Sequence, residues 1–210
     1  MPQNLRTVPD LQTAMRRASE EGTALENACI EHAEFAETDL GALEIENARL
    51  SGCRIVRCHM EKSSFINVCF EDCDLSGSVL SDAYFSRCAF VRCRLLGTEL
   101  ARGILKETSF ADCRMEYLNL DESRFGIVRF SGCTLAHASL AGIRHKDWTL
   151  ENCALQDTSL FMTELKGLDL RRCEIKSLQL SDTLKELRGA VVTPVQAVQL
   201  AALLGLKIQD

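Results

Sequence analysis

Between Leu25 and Leu180 every fifth residue is apolar, with the single exception of His145. The series opens Leu25, Ile30, Phe35, Leu40, Ile45 and closes Leu165, Leu170, Ile175, Leu180, with no insertion or deletion between. A period of five fits neither a helix, at about 3.6 residues per turn, nor a flat strand, at about 2. An unbroken short period of this length means a solenoid, whose units bury their apolar faces only by stacking on neighbours. Two residues before each central residue lies a second inward position, usually small, as at Ala28, Ala33, Cys53, Cys58, Ser63 and Cys73.

A second period lies inside the first. Cys53, Cys73, Cys93, Cys113, Cys133, Cys153 and Cys173 recur every 20 residues. One coil is therefore four pentapeptides, and each coil returns to the same side. Folded on that period, one column of central residues reads Ile30, Leu50, Phe70, Phe90, Phe110, Phe130, Leu150, Leu170. The column before it reads Leu25, Ile45, Phe65, Phe85, Leu105, Phe125, His145, Leu165. Like side chains fall on like, as a close-packed interior requires. Gly52, Gly77, Gly97, Gly132, Gly142 and Gly167 take the last position of the unit, which places them at corners.

With these units in view, the repeat resembles the pentapeptide-repeat family, whose shorthand is A(D/N)Lxx. Clear copies are Ala33-Glu34-Phe35, Thr38-Asp39-Leu40, Cys73-Asp74-Leu75 and Cys113-Arg114-Met115. The resemblance implies an all-β solenoid, a right-handed quadrilateral β-helix of about eight coils of four pentapeptides. At a strand spacing of about 4.8 Å the rod is roughly 38 Å long.

Short capping helices are expected at both ends. Residues 1–22 read as an N-terminal cap: 1–8 polar and loosely ordered, then a helix over 9–20. Pro9 suits a first helical position, Leu11, Met15 and Ala18 form one stripe, and Gly22 is the stop. The β-helix spans 23–182, ending in an irregular turn over 181–192. Within the C-terminal segment 183–210, Thr193-Pro194-Val195-Gln196 reads as a capping box. A helix runs from there to about Leu204, Gly205 stops it, and Leu206-Lys207-Ile208 forms a short extended end. Helices here would cover coil edges that otherwise invite pairing with other chains.

The seven-thiol ladder reads as core rather than chemistry. Parallel neighbours about 4.8 Å apart are too far for a disulfide, whose Cβ atoms converge to roughly 3.5–4.5 Å. No CxxC pair or histidine cluster offers a zinc site, and free cysteine behaves as a small buried hydrophobe. A ladder of free thiols fits a reducing compartment. The expected location is cytoplasmic, since no secretory leader or long apolar span is seen. No cofactor or metal is expected. No phosphate loop, Ser-His-Asp order or carboxylate pair stands out, so an enzyme is not expected.

Four features remain as candidate interaction sites. The first is an irregular coil at Arg144, His145, Lys146 and Trp148. Either the coil bulges and turns His145 outward as a basic protrusion, or His145 is neutral and hydrogen-bonded inside. The second is an acidic face of Asp39, Glu61, Asp82, Glu99, Asp121, Glu122 and Asp182, preceded by a collar over 19–48 that lacks Lys and Arg. The third comprises outward apolar residues, Phe161-Met162 in one place and Val56, Leu96 and Tyr117 in another. The fourth is the C-terminal segment, with Val198, Leu200, Ala201, Leu204, Leu206 and Ile208 as a candidate homodimer interface.

The tail is similar to the dimerising segment of Qnr- and MfpA-type family members, which bind type II topoisomerases such as DNA gyrase and resemble duplex DNA. That likeness implies a homodimer and a possible topoisomerase partner, with protection from quinolone-type poisons. A net charge of −6 excludes a basic nucleic-acid-binding surface. It also falls well below the roughly 22 charges of a 38 Å length of duplex. A scaffold that binds another protein without DNA mimicry is the alternative. No direct nucleic-acid binding and no membrane association are expected.

Overall fold

A computed structural model describes residues 2–8 and 11–206, without the side chains of 11, 12 and 19. Its β-structure is entirely parallel, and from residue 24 onward it pairs residues 20 apart, except at the Asp169–Val191 bridge near the end. Ile104 pairs with Tyr84, Phe110 with Phe90, and Ala154 with Glu174. Each of the four columns has its own ladder. Leu25 lies on Ile45, Ile30 on Leu50 and Phe35 on Ile55, while Asp39, His59, Val79 and Glu99 bridge in sequence beside the fourth. Most rungs are only three residues long, such as Arg54–Val56 and Tyr84–Ser86, because the chain must turn after every unit.

The turn is made at the last position of the unit. Asn27, Asn67, Arg92 and Tyr117 have φ of 55, 53, 52 and 60°. Left-handed backbone costs a side-chain-bearing residue about 1–2 kcal/mol, least for Asn. At Gly52 a Cβ would sit 2.7 Å from His32 Nδ1, so any larger residue there must displace that side chain. Asparagines also stack at one corner. Asn67 donates to Asn47 at 2.9 Å, and Asn47 donates to Asn27 at 2.6 Å and to the Gln3 carbonyl at 2.9 Å. Ile127 and Asp147, within the strands Arg124–Ser131 and Arg144–Glu151, are not left-handed, unlike Asn47 and Asn67 at the same corner of earlier coils. A β-branched residue is a steric outlier in that region of φ, so Ile127 forces a different corner.

The phenylalanine columns stack as their spacing predicts. Ring centroids lie 4.6 Å apart for Phe70–Phe90, 4.8 Å for Phe90–Phe110 and 5.0 Å for Phe110–Phe130, all within 10° of parallel. The second inward position hydrogen-bonds a carbonyl 23 residues earlier. Cys73, Cys93 and Cys113 Sγ donate to Leu50, Phe70 and Phe90 oxygens at 3.4 Å. Thr98 and Ser78 hydroxyls do the same at 3.0 and 2.8 Å. Small size and one donor are thus the two demands of that site. All eleven cysteines are free thiols, and burial pushes those of Cys88 and Cys173 up to about 11.

One expectation at the N-terminus changes. Residues 1–8 are not all loose: Arg6 and Thr7 pair with Ala28 and Cys29, adding a short strand below the first coil. Helix α1, Leu11–Glu21, starts inside the expected range; Pro9 lies outside the described residues. Met15 and Ala18 are buried against the first coil, and left-handed Gly22 ends the helix. Helix α2, Pro194–Ala201, starts at the expected capping box: Thr193 Oγ accepts from Gln196 N, and Gln196 Oε1 accepts from Thr193 N.

Because Phe90 is sandwiched between two rings, Phe90→Ala is expected to cost about 3–5 kcal/mol in urea denaturation. Phe161→Ala, at an outward position, should stay within about 0.5 kcal/mol of the parent.

Candidate interaction surfaces

The acidic face exists, but much of it is engaged within the rod. Asp82 is held bidentately by Arg102 at 2.9 Å on each oxygen, and that guanidinium keeps its carboxyl below the usual range. Asp121 accepts from the Ser139 hydroxyl at 2.5 Å and the Ala141 amide at 2.9 Å. Glu99 accepts from the Asn119 amide at 2.8 Å, Asp39 from Gly41 N–H at 2.9 Å, and Glu61 lies 3.3 Å from His59. Asp39, Glu122 and Asp182 are exposed. His59, Val79 and Asn119 interrupt the carboxylates along the ladder, so no continuous negative stripe forms.

The charge lies instead at one end. Residues 1–48 hold ten Asp and Glu against three Arg, and residues 49–210 hold twenty against twenty-one Lys and Arg. The whole net charge of the chain therefore sits on the N-terminal cap and first coil, where Glu20, Glu26, Glu31, Glu34 and Glu44 are exposed. Along the body, ion pairs link neighbouring coils, as in Arg92 with Asp72 and Arg94 with Asp74. Sequence reading found both acidic regions; comparing the halves of the chain would have shown which one dominates.

The irregular coil does not protrude. Arg144 and His145 stay in register over Arg124 and Phe125. His145 is half-buried, and its Nε2–H donates to the Glu164 carbonyl at 2.7 Å. Trp148, at an inward position where small residues usually sit, is only 6% exposed. It packs edge-on to Phe125 at 5.9 Å and beside His145 at 5.6 Å. The imidazole has left the core, and the indole from the neighbouring small-residue position fills its volume. Arg144 and Lys146 do face outward.

At the far end, α2 covers the last coil chiefly through Gln196, with Leu200 packed partly on the core. Gln196 is buried, and its Nε2 donates to the Leu170 and Cys173 carbonyls at 2.7 and 2.8 Å. Val195, Val198, Leu204 and Leu206 are left exposed. Leu200 packs partly on the core and Ala201 is half-buried, so neither stands on the free face. Ile208 lies outside the described residues. Of the outward apolar residues, Phe161, Met162, Leu96 and Tyr117 are exposed, whereas Val56 is buried. Phe161 and Met162 border a cavity of about 550 Å³ beneath the final turn. There the carboxylate of Glu186 accepts from Met162 N at 2.9 Å, Ser181 N at 3.2 Å and Ser181 Oγ at 2.9 Å. Burial alone would raise its pKa, but these bonds outweigh it and hold the group below its ordinary 4.5.

Among the described residues no group of His, Cys, Asp and Glu is arranged to hold a metal ion. No described helix is long and apolar enough to cross a membrane.

A family model described as a pentapeptide repeat region matches residues 63–140 and 83–160. No curated protein matches the chain. Among solved structures, the chain is similar to trypsin-treated QnrB1, described as a plasmid-mediated fluoroquinolone resistance protein. The identity is 14% over 86% of this chain and 99% of that one, with a TM-score of 0.46. It is also similar to HetL, a pentapeptide repeat protein involved in heterocyst differentiation regulation in the cyanobacterium Nostoc. There the identity is 15% over 89% and 97%, with a TM-score of 0.31.

His145→Leu is expected to destabilise by about 1–3 kcal/mol, because Trp148 already fills the core at that level. Adding Trp148→Val should recover part of that loss in a double-mutant denaturation cycle. Glu186 yields a pH test. A carboxyl with a depressed folded pKa contributes its stability above the unfolded value and loses it as pH falls through the folded one. Glu186→Gln should therefore cost about 1–3 kcal/mol at pH 7. The gap to the parent should narrow as the urea midpoint is followed below pH 4.5.

Proposed function

We propose that the chain, matched by a pentapeptide-repeat family model over residues 63–140 and 83–160, works as a non-enzymatic, rod-shaped interaction module that joins partners through its two ends. The observation that carries this reading is the segregation of its surface. An acidic cap lies at one end, and an exposed apolar helix face of Val195, Val198 and Leu204 lies at the other. The body between is filled, charge-balanced and tied by inter-coil ion pairs.

The apolar face joins two copies tail to tail, which carries the acidic caps to opposite ends of a longer rod. The likeness of the tail to Qnr- and MfpA-type members supports this dimer. It also makes a type II topoisomerase the most concrete partner, with the caps entering where the enzyme receives DNA. Micromolar protein is then expected to alter gyrase supercoiling or to restore it in the presence of a quinolone. An unchanged gel at both conditions contradicts this partner.

The charge balance of residues 49–210 favours a second reading. In that reading the rod is a scaffold for another protein and does not imitate DNA along its length.

The dimer has its own test. Light scattering should give about twice the 23.4 kDa chain mass, and Val198→Asp, on the exposed face, should give the monomer. Leu200→Asp is the weaker probe, because Leu200 also holds α2 to the last coil.

A further inference from the structure

In regular coils each central residue donates its amide to the carbonyl 19 residues on. Leu75 donates to Arg94, Leu95 to Arg114 and Met115 to Thr134, at 2.7–2.8 Å. Corner residues follow the same rule, as Asp112 to Ser131 and Gly132 to Glu151 at 2.8 and 2.9 Å. His145, Asp147, Leu150 and Asn152 should then donate to residues 164, 166, 169 and 171. None of these bonds is formed among the described residues; the strand Arg144–Glu151 pairs only with the coil below. The coil above donates onward in the regular direction but with a longer offset, Leu165, Gly167 and Leu170 donating to Glu186, Gly189 and Val191. The ladder resumes where Ala154 meets Glu174.

The parted coils enclose a cleft of about 400 Å³, within the range of small-ligand pockets. Its lower wall is the strand carrying the Asp147 and Leu150 amides. Trp148, Leu150 and Leu168 give it an apolar lining, and His145 props one end by bonding the Glu164 carbonyl. Asp147, Glu151, Asp169, Arg171 and Arg172 also line it. Asp169 is occupied by Arg171 at 2.7 Å, which leaves two carboxylates, Asp147 and Glu151, against Arg172.

We propose that this cleft receives an extended peptide strand that completes the broken ladder and sets a lysine or arginine against Asp147 and Glu151. An extended backbone supplies carbonyls for the open amides and donors for the opposite wall, as strand addition does at other sheet edges. An oxyanion meets the amides and Arg172 but is repelled by the two carboxylates. The cleft lies on the side of the rod, so its occupant is distinct from partners at either end.

Trp148 is the single tryptophan of the chain, so its fluorescence reports on the cleft alone. The probe is acetyl-Val-Lys-Val-Lys-Val-amide added to the full chain. Controls are the same peptide with its lysines replaced by glutamates, and a form methylated on its backbone nitrogens. The lysine peptide is expected to shift the fluorescence saturably below millimolar concentration and to slow hydrogen exchange at the Asp147 and Leu150 amides. Asp147→Lys with Glu151→Lys, both at exposed positions, should weaken it by about tenfold or more. Fluorescence unmoved by millimolar lysine peptide overturns the proposal. So does equal binding of the glutamate or the methylated peptide.

Discussion

Each coil can bury its central side chains only against those twenty residues away, and the rest of the molecule follows from that dependence. A single pentapeptide has one large apolar side chain and no means of hiding it. The stack hides it, and the same register lets backbone amides reach the next coil. The second inward position must then be small and, where polar, must bond a buried carbonyl. Cys, Ser and Thr all meet that demand. The left-handed corners cost free energy at nearly every turn, which the ladder and core offset. A core so filled leaves recognition to outward residues, to the ends and to any break in the stack.

The break coincides with the one irregular unit of the array. Histidine replaces an apolar central residue at 145, and the core remains filled because Trp148 substitutes its volume from the next inward position. One level below, Ile127 already denies its corner the left-handed turn. The coil above meets residues 145–152 through the His145–Glu164 and Cys173–Leu150 side-chain bonds in place of the regular backbone ladder. The chain thus contains two kinds of edge. The terminal ones are covered, by α1 and the strand Arg6–Thr7 at one end and by Gln196 of α2 at the other. The internal one is open.

Much of this was legible in the sequence, because a solenoid writes its geometry as a period. The four columns, the stacked phenylalanines, the thiol ladder and the C-terminal capping box could all be placed by counting. Features that depend on one coil meeting another were not. Val56 lies at a position that the pattern makes outward, yet it is buried, and the packing of Trp148 against Phe125 carries no periodic signal. The pairing of Arg6 with Ala28 has an offset of 22 and no periodic signal. The open ladder above Arg144–Glu151 is visible only as missing hydrogen bonds. The residues of the acidic face can be picked out by counting, but their engagement by Arg102, Asn119 and Ser139 lies in contacts between coils.

The most direct test of the account is to delete residues by coil and by half coil and compare denaturation midpoints. Removing residues 81–100 takes out one full turn of the 20-residue register and sets Phe70 beneath Phe110. That chain should retain its β-sheet circular dichroism and unfold in one cooperative transition. Removing residues 81–90 sets each following column on the wrong face and should abolish that transition. A half-coil deletion as stable as the full-coil deletion would contradict the stacking register on which the whole structure rests.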